Sequence, residues 1–265
     1  MSDTVRQRPD HTALIFKGTR MSYAQLEQLT NAFAAALVAQ GVKKGDRVAL
    51  LLPNTPQAII AQLGVWKAGA IAAPINSLYT PRELEGALNE VGAETVVVLT
   101  PFYDKVKSLQ ARTQVRRVIA TNIKEYLPAH LRLLFTLAKE KKEGHRIQLQ
   151  PGDLWWGDLM AEHTAAPRPA VPLAPDDPAI LLFSGGTTGT PKAALGTHHA
   201  LLMSAMQLQA YGRTAMADWD DIVTLVMPMF HVYGNMALNT SLVTRGPRAV
   251  VPNPRDIDDL IDTFR

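Results

Sequence analysis

The chain has 265 residues, of which 47% are hydrophobic and 19% charged, as in an ordinary globular protein with a sizeable core. The net charge of +3 is too weak to indicate nucleic-acid binding, and the lack of cysteine excludes disulfides and thiolate metal sites. The N-terminus is polar and no uncharged apolar run reaches the length of a membrane span. We therefore expect a cytoplasmic protein.

Helix and strand signals alternate through the first part of the chain. Ser22 begins a capping box with Gln25, and apolar residues then recur at helical spacing. An apolar strand at Val48–Leu52 precedes a helix that Thr55 caps, with Pro56 at its first position. The next predicted elements are a short strand near Ile71, a helix from Thr80, and strands at Thr95–Thr100 and Val118–Ala120. This rhythm predicts βαβ units in an α/β fold, with mostly parallel sheets and helices on both faces.

Residues 123–150 interrupt this rhythm. Apolar residues from Leu131 to Leu137 are followed by a basic stretch that ends at Arg146. One interpretation is a basic amphipathic segment, residues 131–146, that touches an anionic membrane surface. The other, which we favour, is a surface helix whose apolar face packs on the same domain. His145 has no motif around it and is predicted to lie at the surface.

The segment after residue 150 leads into a loop rich in glycine and hydroxyl groups. Residues 151–178 are rich in Pro and Ala and predict a long irregular connector, and the apolar run Ala179–Phe183 predicts a buried strand. The loop residues with phosphate-binding chemistry are Ser184, Gly185, Gly186, Thr187, Thr188, Gly189, Thr190 and Lys192. Free backbone N–H groups, hydroxyls and one ammonium group suit a nucleotide's phosphates. The alternative is an ordinary surface turn with a coincidental lysine.

This loop matches neither of the common nucleotide-binding motifs. Pro191 stands where a Walker A loop needs glycine, and Ala193 stands where it needs serine or threonine. The G-x-G-x-x-G spacing of the dinucleotide fingerprint is also missing. The loop therefore has to be interpreted together with the rest of the chain.

Downstream of the loop, a second motif follows a predicted strand. The predicted elements are a helix at Leu201–Leu208, strands at Ile222–Met227 and Ala249–Val251, and a helix from Arg255. The motif, Pro228–Gly234, places His231 between Phe230 and Tyr233. A lone histidine is more often a packed structural residue than a functional one. Asp220 and Asp221 are predicted to lie in a solvated turn. His198 is predicted to have a structural role, supporting the chain where it leaves the loop.

Together, the two motifs resemble those of the acyl-adenylate-forming enzymes. The stretch Phe183–Ala194 is similar to the signature loop of that superfamily, and Pro228–Gly234 is similar to its P-x-F-H-x-x-G motif. A diffuse third match runs from Arg47 to Leu99, so the resemblance covers nearly the whole chain. Ala193 replaces a usual glycine and Phe183 a usual tyrosine. The double glycine and the 131–146 insertion look most like bacterial long-chain fatty acid–CoA ligases.

The resemblance implies an ATP-dependent ligase that forms an acyl-adenylate and then a thioester with coenzyme A. Its loop, Ser184 to Lys192, would hold the phosphates of ATP, with Thr187 near Mg²⁺. His231 would be the catalytic residue, beside the carboxylate and the α-phosphate. The substrate pocket would be formed by Phe230, His231, Tyr233 and Gly234. The implied partners are a fatty acid, ATP and coenzyme A, with a homodimer and peripheral contact at the inner face of the membrane as further expectations.

Similar enzymes carry further motifs beyond the point matched here. The resemblance therefore implies an incomplete N-terminal adenylation domain over 1–265, with a first α/β portion at 1–175 and a phosphate-loop portion at 176–265. On that basis we expect the 265-residue chain alone not to form adenylates. Three alternatives stay open: an adenylating enzyme for another carboxylate, a module that binds acyl chains or nucleotide without turnover, and a kinase or NTPase.

Overall fold

The structure, a computed structural model, describes residues 2–184, 192–212 and 217–264. Its helices are α1 (Ser2–Gln7), α2 (Tyr23–Ala39), α3 (Pro56–Lys67), α4 (Pro81–Val91), α5 (Tyr103–Leu109), α6 (Ala129–Ala138), α7 (Trp156–Glu162), α8 (His198–Tyr211), α9 (Val232–Thr244) and α10 (Ile257–Phe264). Its strands are β1 (Thr12–Phe16), β2 (Thr19–Ser22), β3 (Arg47–Leu51), β4 (Ile71–Pro74), β5 (Thr95–Leu99), β6 (Arg117–Thr121), β7 (Leu154–Trp155), β8 (Pro178–Phe183), β9 (Ala193–Thr197), β10 (Val223–Leu225) and β11 (Arg248–Val250).

A large sheet organises most of the chain. Its strand order is β7-β6-β5-β3-β4-β8-β9, and every neighbouring pair is parallel except β8–β9. Along β3, Val48 and Leu50 face one apolar core, with α2, α3 and α7, and Ala49 and Leu51 face another, with α4 and α5. Successive side chains of a strand point to opposite faces, so helices cover both faces. The predicted fold class is confirmed.

A second, smaller sheet joins the two ends of the chain. Its order is β10-β11-β1-β2, with β1 and β2 antiparallel and the other neighbours parallel. The sequence did not predict β1 or β2. Both sheets contain strands from 1–175 and from 176–265, so the predicted division at residue 175 does not coincide with the division between the sheets. The two predicted portions of the chain stay a prediction.

Helix starts follow the predicted local chemistry. Ser22 and Gln25 form a capping box at the start of α2, and Thr80 and Glu83 form another at the start of α4. Thr55 accepts a hydrogen bond from the backbone N–H of Ala58 at the start of α3. Each cap satisfies backbone donors that a helix leaves unpaired in its first turn.

Two predictions about the middle of the chain are wrong. The connector at 151–178 contains β7 and α7, because Trp156 anchors it in the core with its ring centroid 4.4 Å from that of Phe33. His145 is buried rather than at the surface. Its Nδ1 lies 2.8 Å from the Thr100 hydroxyl, and its ring meets Phe135 edge-on. Burial lowers the pKa of His145, which favours the neutral ring.

The insertion forms α6, but its apolar residues are only partly packed. Phe135 is buried, whereas Leu133, Leu134 and Leu137 are 63%, 64% and 77% exposed. The favoured prediction, a surface helix with a packed apolar face, is therefore correct for Phe135 and wrong for these three leucines. Within the described ranges, no helix has the length and hydropathy needed to cross a membrane.

Candidate functional site

The glycine- and threonine-rich loop connects the antiparallel strands β8 and β9. At its base the backbone N–H of Ser184 donates to the carbonyl of Lys192 at 3.0 Å, and the Ser184 hydroxyl lies 3.3 Å from the same carbonyl. Both side chains are exposed. The other predicted phosphate ligands lie outside the described residues: Gly185, Gly186, Thr187, Thr188, Gly189 and Thr190. The structure therefore defines where this loop leaves and re-enters the sheet.

The hairpin that carries the loop is fixed to neighbouring elements at its far end. Trp66 of α3 donates its indole N–H to the carbonyl of Ala179 in β8 at 2.7 Å. The ring of His198, at the start of α8, meets Trp66 edge-on with their ring centroids 5.9 Å apart. The backbone N–H of His198 donates to the carbonyl of Asp177. Burial lowers the pKa of His198, and the Asp177 charge opposes that shift. These contacts agree with the structural role predicted for His198.

His231 caps the N-terminus of α9. Its Nδ1 accepts a hydrogen bond from the backbone N–H of Tyr233 at 3.3 Å, while the imidazole ring stays exposed. Because Nδ1 accepts, the neutral ring carries its proton on Nε2 and can donate it outward. The helix N-terminus also favours an anion at this position. His231 is thus oriented by its own helix, and its neutral ring has a donor at Nε2.

Gly234 allows the first turn of α9 to pack directly on the preceding backbone. A Cβ at this position would lie 2.2 Å from the carbonyl oxygen of Pro228 and 2.6 Å from that of Met227. No side chain fits at such distances, because real Cβ contacts are longer. Gly234 therefore sets the position of the His231 segment by close packing, and its predicted part in a substrate pocket stays a prediction.

A buried asparagine that the sequence did not single out braces this segment. Asn54, just after β3, donates to the carbonyls of Leu225 and Met227 at 3.0 and 2.9 Å. Its Oδ1 accepts from the backbone N–H of Met229 at 2.9 Å. Asn54 is 4% exposed, so these bonds are shielded from water. Asn54, which follows a strand of the large sheet, thus fixes the segment between β10 of the small sheet and His231.

A second buried amide contact holds α9 against α3. Asn235 donates to Gln62 at 2.9 Å and also lies 3.3 Å from the carbonyl of Met229. Asn239 donates in turn to Asn235 at 3.0 Å. Buried amides of this kind are stabilising when satisfied and costly when left unpaired. The helix that carries His231 therefore has a defined orientation on the large sheet.

A cavity of about 460 Å³ lies where the carboxyl ends of both sheets meet. Its walls follow β3, β4 and β5 on one side and β10 and β11 on the other, and they are formed by Pro53, Asn54, Ser77, Leu78, Phe102, Val226, Pro228, Phe230, Pro252, Asn253, Pro254 and Arg255. The chain moves from β3 to β4 on one side and then to β5 on the other, so the cavity lies at the topological switch point of the sheet. Ligands bind in open α/β sheets at such points.

The predicted site residues differ in their relation to this cavity. Phe230 lines it, whereas His231, Tyr233 and Gly234 do not, and Tyr233 is 55% exposed at the start of α9. Arg255, which the sequence did not single out, places a cation on the wall. Among the described residues, neither Ser184 nor Lys192 lines the cavity, although the loop leaves from the same edge of the sheet, after β8. The packing of α8, which follows the hairpin, against α9 links the two motifs.

The described residues provide no ready metal cage. In 2–184, 192–212 and 217–264, no group of three or more His, Cys, Asp or Glu side chains is arranged to hold a metal ion. Thr187, the predicted magnesium contact, lies outside these ranges.

Comparisons with known proteins agree with this geometry. The model of the family described as AMP-binding enzyme matches residues 1–265. The long-chain-fatty-acid–CoA ligase of Escherichia coli O157:H7 is 32% identical over 263 residues, which are 97% of this chain and 46% of the relative. The enzyme of the same name from Bacillus subtilis is 31% identical, over 90% of this chain and 42% of the relative. The chain thus spans less than half the length of these relatives.

Solved structures share the fold. The anthranilate CoA ligase AuaEII in complex with anthranoyl-AMP superposes with a TM-score of 0.81 at 22% identity, over 99% of this chain and 46% of that one. The inhibitor-bound N-terminal domain of FACL13 from Mycobacterium tuberculosis gives a TM-score of 0.74 at 25% identity, over 99% and 58%. Since the family match extends over the whole length, this chain belongs to the AMP-binding enzyme family.

Proposed function

We propose that this chain supplies the phosphate loop and the carboxylate site of a long-chain fatty acid–CoA ligase. The observation that carries the proposal is the position of the His231 segment. The exposed imidazole of His231, oriented by α9, directly follows Phe230, which lines a cavity at the switch point of the sheet, and the hairpin loop leaves from the same edge. The names of the relatives support a long-chain fatty acid as the carboxylate.

The proposed reaction has two steps. A carboxylate oxygen attacks the α-phosphorus of ATP, and the bond to the leaving pyrophosphate breaks. The thiol of coenzyme A then attacks the acyl carbon, and AMP leaves. The protein's task in the first step is to hold two anions together and to neutralise the leaving group.

Each residue of the site has a part in the first step. Lys192, with Ser184, Gly185, Gly186, Thr187, Thr188, Gly189 and Thr190, would bind the β- and γ-phosphates. His231 would donate from Nε2 to an oxygen of the carboxylate or of the α-phosphate. Phe230 would form the wall against which the acyl chain lies. Mg²⁺, when bound with ATP, would offset the charge of the phosphates.

A binding experiment tests this assignment directly. The ligands are ATP and a non-hydrolysable palmitoyl-adenylate analogue, titrated into the chain by calorimetry. Lys192→Ala is expected to weaken ATP binding, and His231→Ala to weaken the analogue, each about tenfold or more, since each loses a hydrogen bond to a charged group. Lys142→Ala, an exposed lysine on the insertion, is the control and should change neither. Unchanged affinity in both site variants would place the ligands elsewhere.

Catalysis by the 265-residue chain alone is a separate question. Pyrophosphate–ATP exchange is expected to stay at background with this chain, because similar enzymes complete the site with further motifs. Exchange above background that depends on an added fatty acid would contradict this expectation.

We also propose that α6 contacts an anionic membrane surface. Leu133, Leu134 and Leu137 are exposed, and exposed Lys141, Lys142 and Arg146 follow them. Apolar side chains beside cations are typical of interfacial helices. Leu133→Ser combined with Leu137→Ser should reduce co-sedimentation with phosphatidylglycerol vesicles. Leu195→Ser, which changes a leucine 58% exposed in β9, is the matched control and should not.

A homodimer is a further proposal. Leu202, Met203 and Met206 of α8 are 40–50% exposed, and α8 carries no Lys, Arg, Asp or Glu, so it offers an uncharged surface to a second copy. Sedimentation equilibrium tests this, and a monomer at every concentration studied would contradict it.

A further inference from the structure

The cavity at the carboxyl ends of the two sheets carries positive charge on a mainly apolar wall. Its polar lining residues are Asn54, Ser77, Asn253 and Arg255. Within the described part of the chain, Arg255 is the one charged residue of the wall, and no Asp or Glu lines the cavity. A mainly apolar pocket with a few polar groups is the usual form of a small-molecule site. The charge of this one favours an anionic ligand.

Ser77 brings a buried hydroxyl to the cavity. The residue is 5% exposed, and its hydroxyl makes no hydrogen bond with any other described residue. Asn54, on the same wall, differs because its amide is fully used by three backbone groups. Buried polar groups normally have a partner, so the Ser77 hydroxyl is available to donate to a molecule in the cavity.

Arg255 is placed on the wall by the turn before α10. Its backbone N–H donates to Oδ1 of Asn253 at 3.1 Å, and the N–H of Asp256 donates to the Asn253 carbonyl at 3.0 Å. No carboxylate among the described residues forms an ion pair with its guanidinium. Asp256 instead accepts from the backbone N–H of Asp259 at 3.2 Å. The guanidinium fork of Arg255 is thus free to bind the oxygens of an anion.

A second cation lies behind the same wall. Nζ of Lys105, in α5, donates to the carbonyls of Ser77 and Tyr79 at 3.2 and 2.8 Å. It also lies 5.3 Å from the ring centroid of Phe102, which lines the cavity. Within the described ranges Lys105, like Arg255, has no carboxylate partner. Two such cations raise the potential in the cavity, because its apolar wall screens charge less than water does.

We propose that Ser77 and Arg255 form an anion subsite for the phosphate of an amphiphilic small molecule whose apolar part packs on Phe102 and Phe230. A phosphate monoester carries a charge of about −1.5 to −2 at pH 7, which suits two cations better than the single charge of a carboxylate does. A purely apolar occupant would leave the hydroxyl and the guanidinium without partners. The subsite goes beyond the proposed ligase function, and it uses neither His231 nor Lys192.

Calorimetry with octyl phosphate tests the subsite, and 1-octanol is the uncharged comparator. Arg255→Gln should weaken octyl phosphate about tenfold and Ser77→Ala about threefold, since each removes a donor to a charged group, while octanol changes less than about twofold. Arg255 is exposed, so its variant should fold. Arg20→Gln, at an exposed arginine of β2 that does not line the cavity, is the control and should change neither. No binding of octyl phosphate, or equal losses for both ligands, would overturn the proposal.

Two further variants separate this subsite from the site proposed above. Octyl phosphate should bind unchanged to Lys192→Ala and to His231→Ala. A loss in Lys192→Ala would place the phosphate at the hairpin loop and overturn the subsite. Octanoate that binds His231→Ala as tightly as octyl phosphate does would overturn the assignment of a phosphate. Failure of ATP or of the adenylate analogue to bind bears on the ligase function alone.

Chemical modification locates the phosphate independently. Phenylglyoxal modifies exposed arginines, and mass spectrometry of the peptides gives the rate at each one. Octyl phosphate should slow the modification of Arg255 and leave that of Arg20 unchanged. An unchanged rate at Arg255 would overturn the proposal.

Discussion

The segment around His231 and the base of the hairpin loop differ in how the molecule holds them. Asn54, Gln62 and Gly234 brace the first through buried hydrogen bonds and close backbone packing. Ser184 and Lys192 bond to each other at the second, and both have exposed side chains. The comparison teaches that one motif is anchored by buried residues, although His231 itself is exposed, whereas the base of the other is held by its own surface residues. Substitutions at the two should therefore separate folding from binding.

Gly234→Ala should have the largest effect on stability. The new Cβ would meet the carbonyl of Pro228 at 2.2 Å, which forces the backbone apart, so we expect a loss of about 3 kcal/mol or more. Gly86→Ala, within α4 and with nothing within 4 Å of its Cβ, is the control and should stabilise by about 0.5–1 kcal/mol. Urea unfolding measures both, and a neutral Gly234→Ala would show that α9 can move away.

Asn54→Ala should have the next largest effect. It leaves the carbonyls of Leu225 and Met227 and the N–H of Met229 without their partner, and we expect a loss of about 2–4 kcal/mol. Asn89→Ala removes one exposed hydrogen bond and should cost less than about 1 kcal/mol. If the two variants cost the same, Asn54 does not brace the segment.

The Gln62–Asn235 pair should show a smaller, coupled effect. Gln62→Leu and Asn235→Leu should each cost about 1–3 kcal/mol, since each leaves the other amide partly unpaired. The double variant should cost less than the sum by about 1 kcal/mol. Gln57→Leu, whose amide donates to the carbonyl of Asn122 instead, should combine with Asn235→Leu additively. Additive losses in both cycles would show that Gln62 and Asn235 are not coupled, and so that their hydrogen bond does not orient α9.

The parts of the fold that depend on local sequence were predictable, and those that depend on distant partners were not. The caps at Ser22, Thr55 and Thr80 involve residues only three positions apart. By contrast, β1 and β2 are short, and β1 pairs with β11, where Leu14 stands opposite Arg248. No periodicity within β1 indicates that its partner strand lies so far along the chain.

The same limit applies to the site. Phe230 and His231 stood out because they form one compact motif, but Asn54 did not, because the carbonyls it binds are more than 170 residues away. The one local signal was its position just after a buried strand, where parallel sheets place functional side chains. In α6, local sequence predicted too much packing, because helical spacing alone does not determine which apolar residues pack against another element and which leucines stay exposed.

Lys192→Ala should have the smallest effect on stability and so gives the sharpest contrast with Gly234→Ala. Its side chain is exposed, and only its backbone carbonyl takes part in the base of the hairpin, so the free energy of unfolding should change by less than about 0.5 kcal/mol. Affinity for ATP should nevertheless fall, because a cation is removed from the phosphates. Measuring both on the same preparation separates the two roles, since a loss of stability that accompanies the loss of affinity would mean that the loop base, like the His231 segment, contributes to the fold.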